Sequence, residues 1–266
     1  MKGLGRYLRL FLILFKFALM RQMAYRSHFF LMILGKVVRM ALLLFFFQAV
    51  FLKVDRLGTW SYDHILLLFA TFHIVDYLMS ITFQRNLAFK LPDRIYTGEL
   101  DTRMILPVNL LFMASLEELD LMDFFSCIPA IAFLVYVLDR LDFAFTWVQG
   151  LAYLMLMANG IVFLFSVVLI IAATSFWTVQ SYGLSRVFDN LMKIGRYPLD
   201  IFEGFWKIFF VYLLPLVLIA QAPSQALLAT LTPGFVAFGF SVTLGVLVFS
   251  LFLWNRGLKS YLSASS

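Results

Sequence analysis

Residues 147–176 read WVQGLAYLMLMANGIVFLFSVVLIIAATSF, thirty positions without one Asp, Glu, Lys or Arg. About 20 apolar residues in a helix cross a hydrocarbon core of about 30 Å, so this stretch is long enough to span a bilayer. Lipid offers the backbone no hydrogen-bond partner, so the span has to be helical.

The rest of the chain follows the same pattern. Of its 266 residues 63% are hydrophobic and only 14% are charged, where a soluble domain carries about 25%. The charges are bunched between apolar runs. Six spans are expected, at residues 29–52, 60–83, 123–138, 147–176, 201–220 and 233–254, the third being the shortest. The fold class is therefore all-α and polytopic. A net charge of +6 in such a protein marks cytoplasmic loops, and nucleic acid is not an expected partner. Cys127 is the only cysteine, which excludes an intrachain disulfide.

Orientation follows from Lys and Arg. With the N-terminus inside, the inner segments hold sixteen: Lys2, Arg6, Arg9, Lys16, Arg21, Arg26, Arg85, Lys90, Arg94, Arg103, Arg186, Lys193, Arg196, Lys207, Arg256 and Lys259. The outer loops hold three, Lys53, Arg56 and Arg140. The bias places both termini in the cytoplasm.

Residues 1–28 form a separate element. The run 10–20 is too short to span and Lys16 interrupts it. At about 100° per residue, Lys2, Arg6, Arg9 and Lys16 share one sector, with Arg21 near its edge and Leu8, Phe11, Phe15 and Leu19 opposite. Ile13 and Phe17 fall among the charges. A signal peptide is the competing reading, but no small-residue cleavage site follows. An interfacial amphipathic helix is expected, followed by one membrane domain over 29–266. No internal repeat or low-complexity segment divides it.

The motifs for chemistry are few. There is no G-x-x-x-x-G-K-[ST] phosphate loop, no H-E-x-x-H pair and no G-x-S-x-G elbow. His73 and Asp76 share a face of the second span. They fit a proton relay or ion site, or simpler polar contact between helices. Lys36 and Arg39 share a face of the first span. They can snorkel to the interface, pair with Asp76, or line a polar cavity. Ala237, Ser241 and Gly245 make a smooth stripe on the last span, suited to close helix packing or dimerisation. Pro215 is expected to kink the fifth span. Glu117, Glu118, Asp120 and Asp123 precede the third span, where the helix dipole accounts for carboxylates.

The most informative region is the inner segment around 93–107. Asp93, Arg94, Glu99, Asp101 and Arg103 alternate with Ile95, Tyr96, Leu100, Ile105 and Leu106. Gly98 breaks the segment and Pro107 ends it. The pattern suits a short amphipathic helix docked on another protein, or a solvated loop resting on the membrane.

Taken in order, these residues resemble the permease subunits of ABC-2 type ABC transporters, in a branch of bacterial exporters encoded as two permeases plus one ATPase. The matching stretches begin with Ala24-Tyr25-Arg26, Gly98-Glu99-Leu100-Asp101 and Leu106-Pro107. They continue with Ser175-Phe176-Trp177, Arg196-Tyr197-Pro198, Pro215 with Pro223, and Gly257-Leu258-Lys259-Ser260-Tyr261. They cover nearly the whole chain. The resemblance implies six helices with an N-terminal elbow helix, in a bacterial inner membrane. It implies that the loop between the second and third spans couples to an ABC ATPase, with Ile95, Tyr96, Gly98, Glu99, Leu100, Asp101 and Arg103 as the coupling residues. It also implies a second permease, paralogous or identical, and no cofactor in this chain, since ATP and Mg²⁺ would bind the ATPase. Two rivals stand beside it. A channel or scaffold explains the helices but not the ordered motifs. A membrane-embedded enzyme would have to rest on His73 and Asp76 without a recognisable nucleophile.

Overall fold

The computed structural model describes residues 2–23, 26–141, 145–178 and 182–264. Among these there are helices and connections but no β-strand. In chain order the α-helices are α1 (Lys2–Met23), α2 (Arg26–Phe51), α3 (Tyr62–Thr82), α4 (Leu91–Thr97), α5 (Leu100–Met104) and α6 (Leu110–Leu116). They continue with α7 (Leu121–Arg140), α8 (Trp147–Thr174), α9 (Tyr182–Met192), α10 (Gly204–Ile208), α11 (Gln221–Leu227) and α12 (Pro233–Ala264).

Five segments are long and apolar enough to cross a membrane: Phe30–Phe51, Tyr62–Thr82, Leu121–Arg140, Trp147–Thr174 and Pro233–Tyr261. They coincide with five of the six expected spans to within a few residues. Their starts follow local chemistry. Thr146 and Gln149 form a reciprocal capping box at the head of α8, and Asp120 accepts from the Met122 amide at the head of α7, in each case satisfying amides that the first turn leaves open.

Helix α3 is the axis of the molecule. Its apolar window is 78% buried, against 6% for that of α2, so α3 is wrapped by the other helices and α2 lies on the outside. Side-chain pairs give the directions. Phe47 meets Phe69 and Phe51 meets Tyr62, so α2 runs antiparallel to α3. Arg140 pairs with Asp63 at 2.5 Å while Phe133 meets Phe69, so α7 is antiparallel too. Tyr153 hydrogen-bonds Thr71 and Phe165 meets Phe83, which makes α8 parallel to α3. Gly239 lies beside Asn159 and Gly257 beside Phe176, so α12 runs with α8.

The expected fifth span, 201–220, is not one helix. Its residues divide among a 3₁₀ turn (Leu199–Ile201), α10, a π turn (Phe209–Leu213) and a second 3₁₀ turn (Leu216–Leu218). Pro215 does not kink a helix here; the helix stops before it, because proline has no amide to give and its ring clashes with the preceding turn. Instead, the length of α3 is traversed by residues 182–201. The Ser185 hydroxyl donates to the Ala88 carbonyl at 2.8 Å, and the Gln84 amide donates to Asp189 at 2.8 Å. Gly195 lies against the Phe72 ring, and the Trp60 indole donates to Asp200 at 2.9 Å. As the α3 partner steps back from 88 to 60, the facing residue advances from 185 to 200.

Residues 204–227 then form a hairpin that starts and ends at the Trp60 end of the bundle. Lys207 pairs with Asp200 there at 3.7 Å. The chain descends to place the Leu218 carbonyl against Gly160, midway along α8. It returns so that the Leu227 carbonyl accepts from Gln149 near the head of α8, at 3.2 Å. The bottom of the hairpin, Leu216 to Ala220, is buried. Irregular backbone is tolerated at such depth only inside protein.

A Cβ on Gly160 would lie 2.5 Å from the Leu218 carbonyl oxygen, whereas one on Gly245 would meet nothing within 4 Å. Gly160→Ala should therefore destabilise the purified protein by about 1–3 kcal/mol. Gly245→Ala should stay within about 0.5 kcal/mol of wild type. Denaturant titration in detergent micelles checks both.

Candidate functional site

Beyond Thr82 the axial helix continues. A π turn, Asn86–Lys90, joins it to α4 with helical backbone on both sides. A π turn inside a helix frees one backbone position and redirects side chains. Here it turns Asn86 inward. The fully buried Asn86 amide donates to the carbonyls of Thr82, Ser115 and Glu118 at 2.8–2.9 Å, stitching the α6–α7 connection to the foot of α3.

Helix α4 ends at Gly98, which adopts φ +75°, a left-handed conformation that glycine takes without a Cβ penalty. The chain reverses there into α5. Leu100 turns inward and is buried, while Ile95 packs on the core. Tyr96, Gly98, Glu99 and Asp101 are exposed, with Tyr96 at 74% and Ile105 at 83%. Arg103 bonds back to Glu117 at 3.2 Å, and the Tyr261 hydroxyl donates to Asp101 at 2.8 Å. Of the residues expected to form a coupling surface, Tyr96, Gly98, Glu99 and Asp101 thus make the projecting tip. Ile95, Leu100 and Arg103 anchor it.

The anchorage is electrostatic. Arg94 is buried and pairs with Glu117 at 2.7 Å and Glu118 at 3.6 Å. Glu118 also holds Arg21 at 2.8 Å and Lys90. Arg85 reaches Asp120 at 3.4 Å. Cations from α1, the π turn, α4 and α5 therefore converge on one short acidic connection. The helix dipole explains only the capping role of Asp120. Glu117 and Glu118 are the counterions of a cluster centred on the buried Arg94, which sequence reasoning missed. The available signal was a set of basic residues at 85, 90 and 94 facing carboxylates at 117, 118 and 120.

Helix α1 lies along this end. Arg6 donates to the Pro107 carbonyl at 2.7 Å, and the Asn109 amide donates to the Tyr7 hydroxyl at 3.1 Å. Phe11, Phe15 and Leu19 pack with Leu119 and Leu121, as the expected apolar face requires, while Leu8 of that face is exposed. Ala24-Tyr25 lies outside the described residues, and so do the side chains of Lys2, Arg26 and His28.

The four polar residues expected within the first two spans separate into two groups. Lys36 pairs with Asp123 and sits over the Tyr77 ring. Its partner is thus Asp123 and not Asp76. Arg39, His73 and Asp76 come together in a cavity of about 260 Å³, with Phe72, Ser80, Gln84, Asp189, Met192, Lys193 and Arg196. Arg39 makes no ion pair with Asp76 within 4.0 Å. His73 is buried among Phe69, Phe72 and Tyr77.

Ala237, Ser241 and Gly245 remain on the exposed face of α12. The close approach of α12 to α8 uses a different stripe, through Gly239 and Gly257. Phe176 and Tyr261 of the ordered motifs do meet, with ring centres 6.1 Å apart, and Phe176 also packs on Trp254 at 5.4 Å.

A family model described as ABC-2 family transporter protein matches residues 37–265. No curated protein and no solved structure matches the chain.

Burial pushes the Glu118 carboxyl up, but the hydrogen bonds and charges of Lys90 and Arg21 outweigh it and leave the group below the usual carboxylate range. A carboxylate with a depressed folded pKa contributes stability that is complete above its unfolded value of about 4.3. That contribution is lost as pH falls through the folded value. Glu118→Gln should lower the melting temperature at neutral pH, and the gap to wild type should close as pH drops below about 4. Thermal unfolding across a pH series measures it.

Proposed function

Because this chain belongs to the ABC-2 family of transporter proteins, we propose that it is the membrane-spanning permease of an ATP-driven exporter, powered by a separate ABC ATPase that docks on residues 96–101. The observation that carries this reading is the exposed tip on a rigid base. Tyr96, Glu99 and Asp101 project outward, while Arg94, Arg103 and Leu100 pin the flanks. The chain has no phosphate loop, so ATP and Mg²⁺ belong to the partner.

The same geometry supports a route for the energy. From Tyr62 to Thr97 the axial helix is interrupted by a turn at Phe83 and by the π turn, both with helical backbone angles at their ends, and at 1.5 Å per residue it makes a rod of about 50 Å. A push on the tip acts along α3, around which the other helices pack. The Tyr261–Asp101 bond passes part of the same displacement to the end of α12. Substrate would move as the two conformations exchange, driven by their differential affinity. A second permease, identical or paralogous, would complete the path across the bilayer.

In this reading the membrane is crossed six times. The five long helices supply five crossings and residues 182–201 supply the sixth, in place of 201–220. Both termini are cytoplasmic, because most Lys and Arg residues lie at the α4 end. Lys207 moves to the outer side with the hairpin, and the basic bias survives the change.

Two experiments test this. Reversing charge at the tip with Glu99→Arg and Asp101→Arg should weaken capture of the ATPase in a detergent pull-down at least about tenfold, or about 1.4 kcal/mol. The melting temperature should not move, and unchanged capture and transport would remove the tip from the coupling role. In a Cys127→Ser background, Lys207→Cys should react with a membrane-impermeant maleimide from outside intact cells, and Glu99→Cys should not. The reverse pattern would invert the topology.

A further inference from the structure

The cavity at the inner half of α3 is polar, and it is built from three separate parts of the chain. Arg39 comes from α2, His73 and Asp76 from α3, and Asp189, Lys193 and Arg196 from α9 and the 3₁₀ turn after it. His73 and Asp76 lie six to nine residues inside the Thr82 end of α3, about 10 Å into the bundle at 1.5 Å per residue.

Three polar atoms of its lining are buried without a partner. Neither nitrogen of the His73 ring has a hydrogen bond, though the residue is only 3% exposed, and the Arg196 Nε is likewise buried without a partner. Among the described residues none of Arg39, Lys193 and Arg196 enters an ion pair. Of the two carboxylates in the wall, Asp189 is held by Gln84 at 2.8 Å. The three basic side chains Arg39, Lys193 and Arg196 outnumber the two carboxylates. Buried polar groups are normally satisfied, and each exception calls for an account. Lys193 donates to Asn190 at 2.7 Å and Arg196 lies over the Tyr197 ring, contacts that leave both positive charges unneutralised.

We propose that this cavity is a binding site for an oxyanion, a phosphate or carboxylate, carried by a membrane amphiphile. The guanidinium groups of Arg39 and Arg196 are planar donors that match such oxygens. Lys193 supplies a third positive charge, and His73 donates one ring N–H from the floor. The flank is suited to a tail. Phe72 and Met192 complete the wall, and on α2 Val38 and Leu42, next to Arg39, are exposed. A headgroup in the cavity would leave its acyl chain along the apolar outer face of α2. That the bound molecule is cargo rests on the permease reading, whereas its binding does not.

The test uses the purified full chain in detergent without any ATPase, so a missing partner leaves it unaffected. Retention of phosphatidic acid and phosphatidylcholine is measured by native mass spectrometry. Protection by inorganic phosphate is measured by thermal shift. The variants are R39Q/K193Q, two exposed positions whose change leaves the fold intact, and R196Q. Phosphatidic acid should be retained over phosphatidylcholine, and both variants should weaken it at least about tenfold with R39Q/K193Q melting as wild type does. Protection by phosphate, lost in the same variants, would support the same oxyanion chemistry with a free anion as its source. Equal retention of the two lipids, or retention unchanged in the variants, together with no phosphate protection, would overturn the site.

Discussion

Backbone polar groups at membrane depth have to be satisfied by the protein itself, and the architecture depends on how residues 182–227 meet that constraint. This stretch contains five changes of helix type, two prolines that interrupt it and a reversal of direction, all of which strand amides and carbonyls. Its deepest part, residues 215–224, persists because it is buried against α3, α8 and α12. The Gln221 side chain accepts from the Leu199 amide at 3.0 Å in a buried position, and the Ser224 hydroxyl donates to the Ala220 carbonyl at 2.8 Å. Gly160 and Gly239 permit the close approach. Each of these is a local answer to a group that lipid would leave unpaired.

The opposite end of the molecule solves a different problem. Four cations and two glutamates are gathered where α1, the foot of α3 and the α6–α7 connection meet. A buried arginine is costly alone and tolerable when two carboxylates and a hydrogen-bonded frame surround it. The geometry follows from that cost. With Arg94 fixed, α4 cannot rotate freely, so the reversal at Gly98 points Tyr96 and Glu99 away from the bundle. The exposed tip is thus a consequence of the ion cluster behind it, which ties the base of the tip to the foot of α3.

Much of this was legible in the sequence. The five long helices follow from uninterrupted apolar runs, because hydrophobic length is what a bilayer selects. The alternation of charged and apolar residues over 93–106 pointed to a short amphipathic helix broken at Gly98, where the structure has two, α4 and α5, on either side of that glycine. The packing face of α1 with Phe11, Phe15 and Leu19 came from helical periodicity. The traverse by 182–201 did not show, because Arg186, Asp189, Asn190, Lys193 and Arg196 lower its hydropathy below that of a span. Its place beside α3 rests instead on contacts such as Ser185 with Ala88 and Gln84 with Asp189. Residues 201–220 misled for the converse reason: their apolar side chains are divided between a buried end, 215–220, and an exposed one with Phe205, Trp206, Ile208, Tyr212 and Leu213, and apolarity does not distinguish such a hairpin arm from a span.

The amino-acid sequence by itself determined the membrane class, the place of the five long helices, the family and the compact charged segment between α3 and α7. These depend on composition, periodicity and order along the chain, which are one-dimensional properties. Only the tertiary structure decided which charges meet: Lys36 with Asp123, Arg94 with Glu117 and Glu118, and Arg39 beside His73 and Arg196 in one cavity. Those pairings join residues up to 157 positions apart, and electrostatic partnership depends on distance in space, which a linear pattern does not contain.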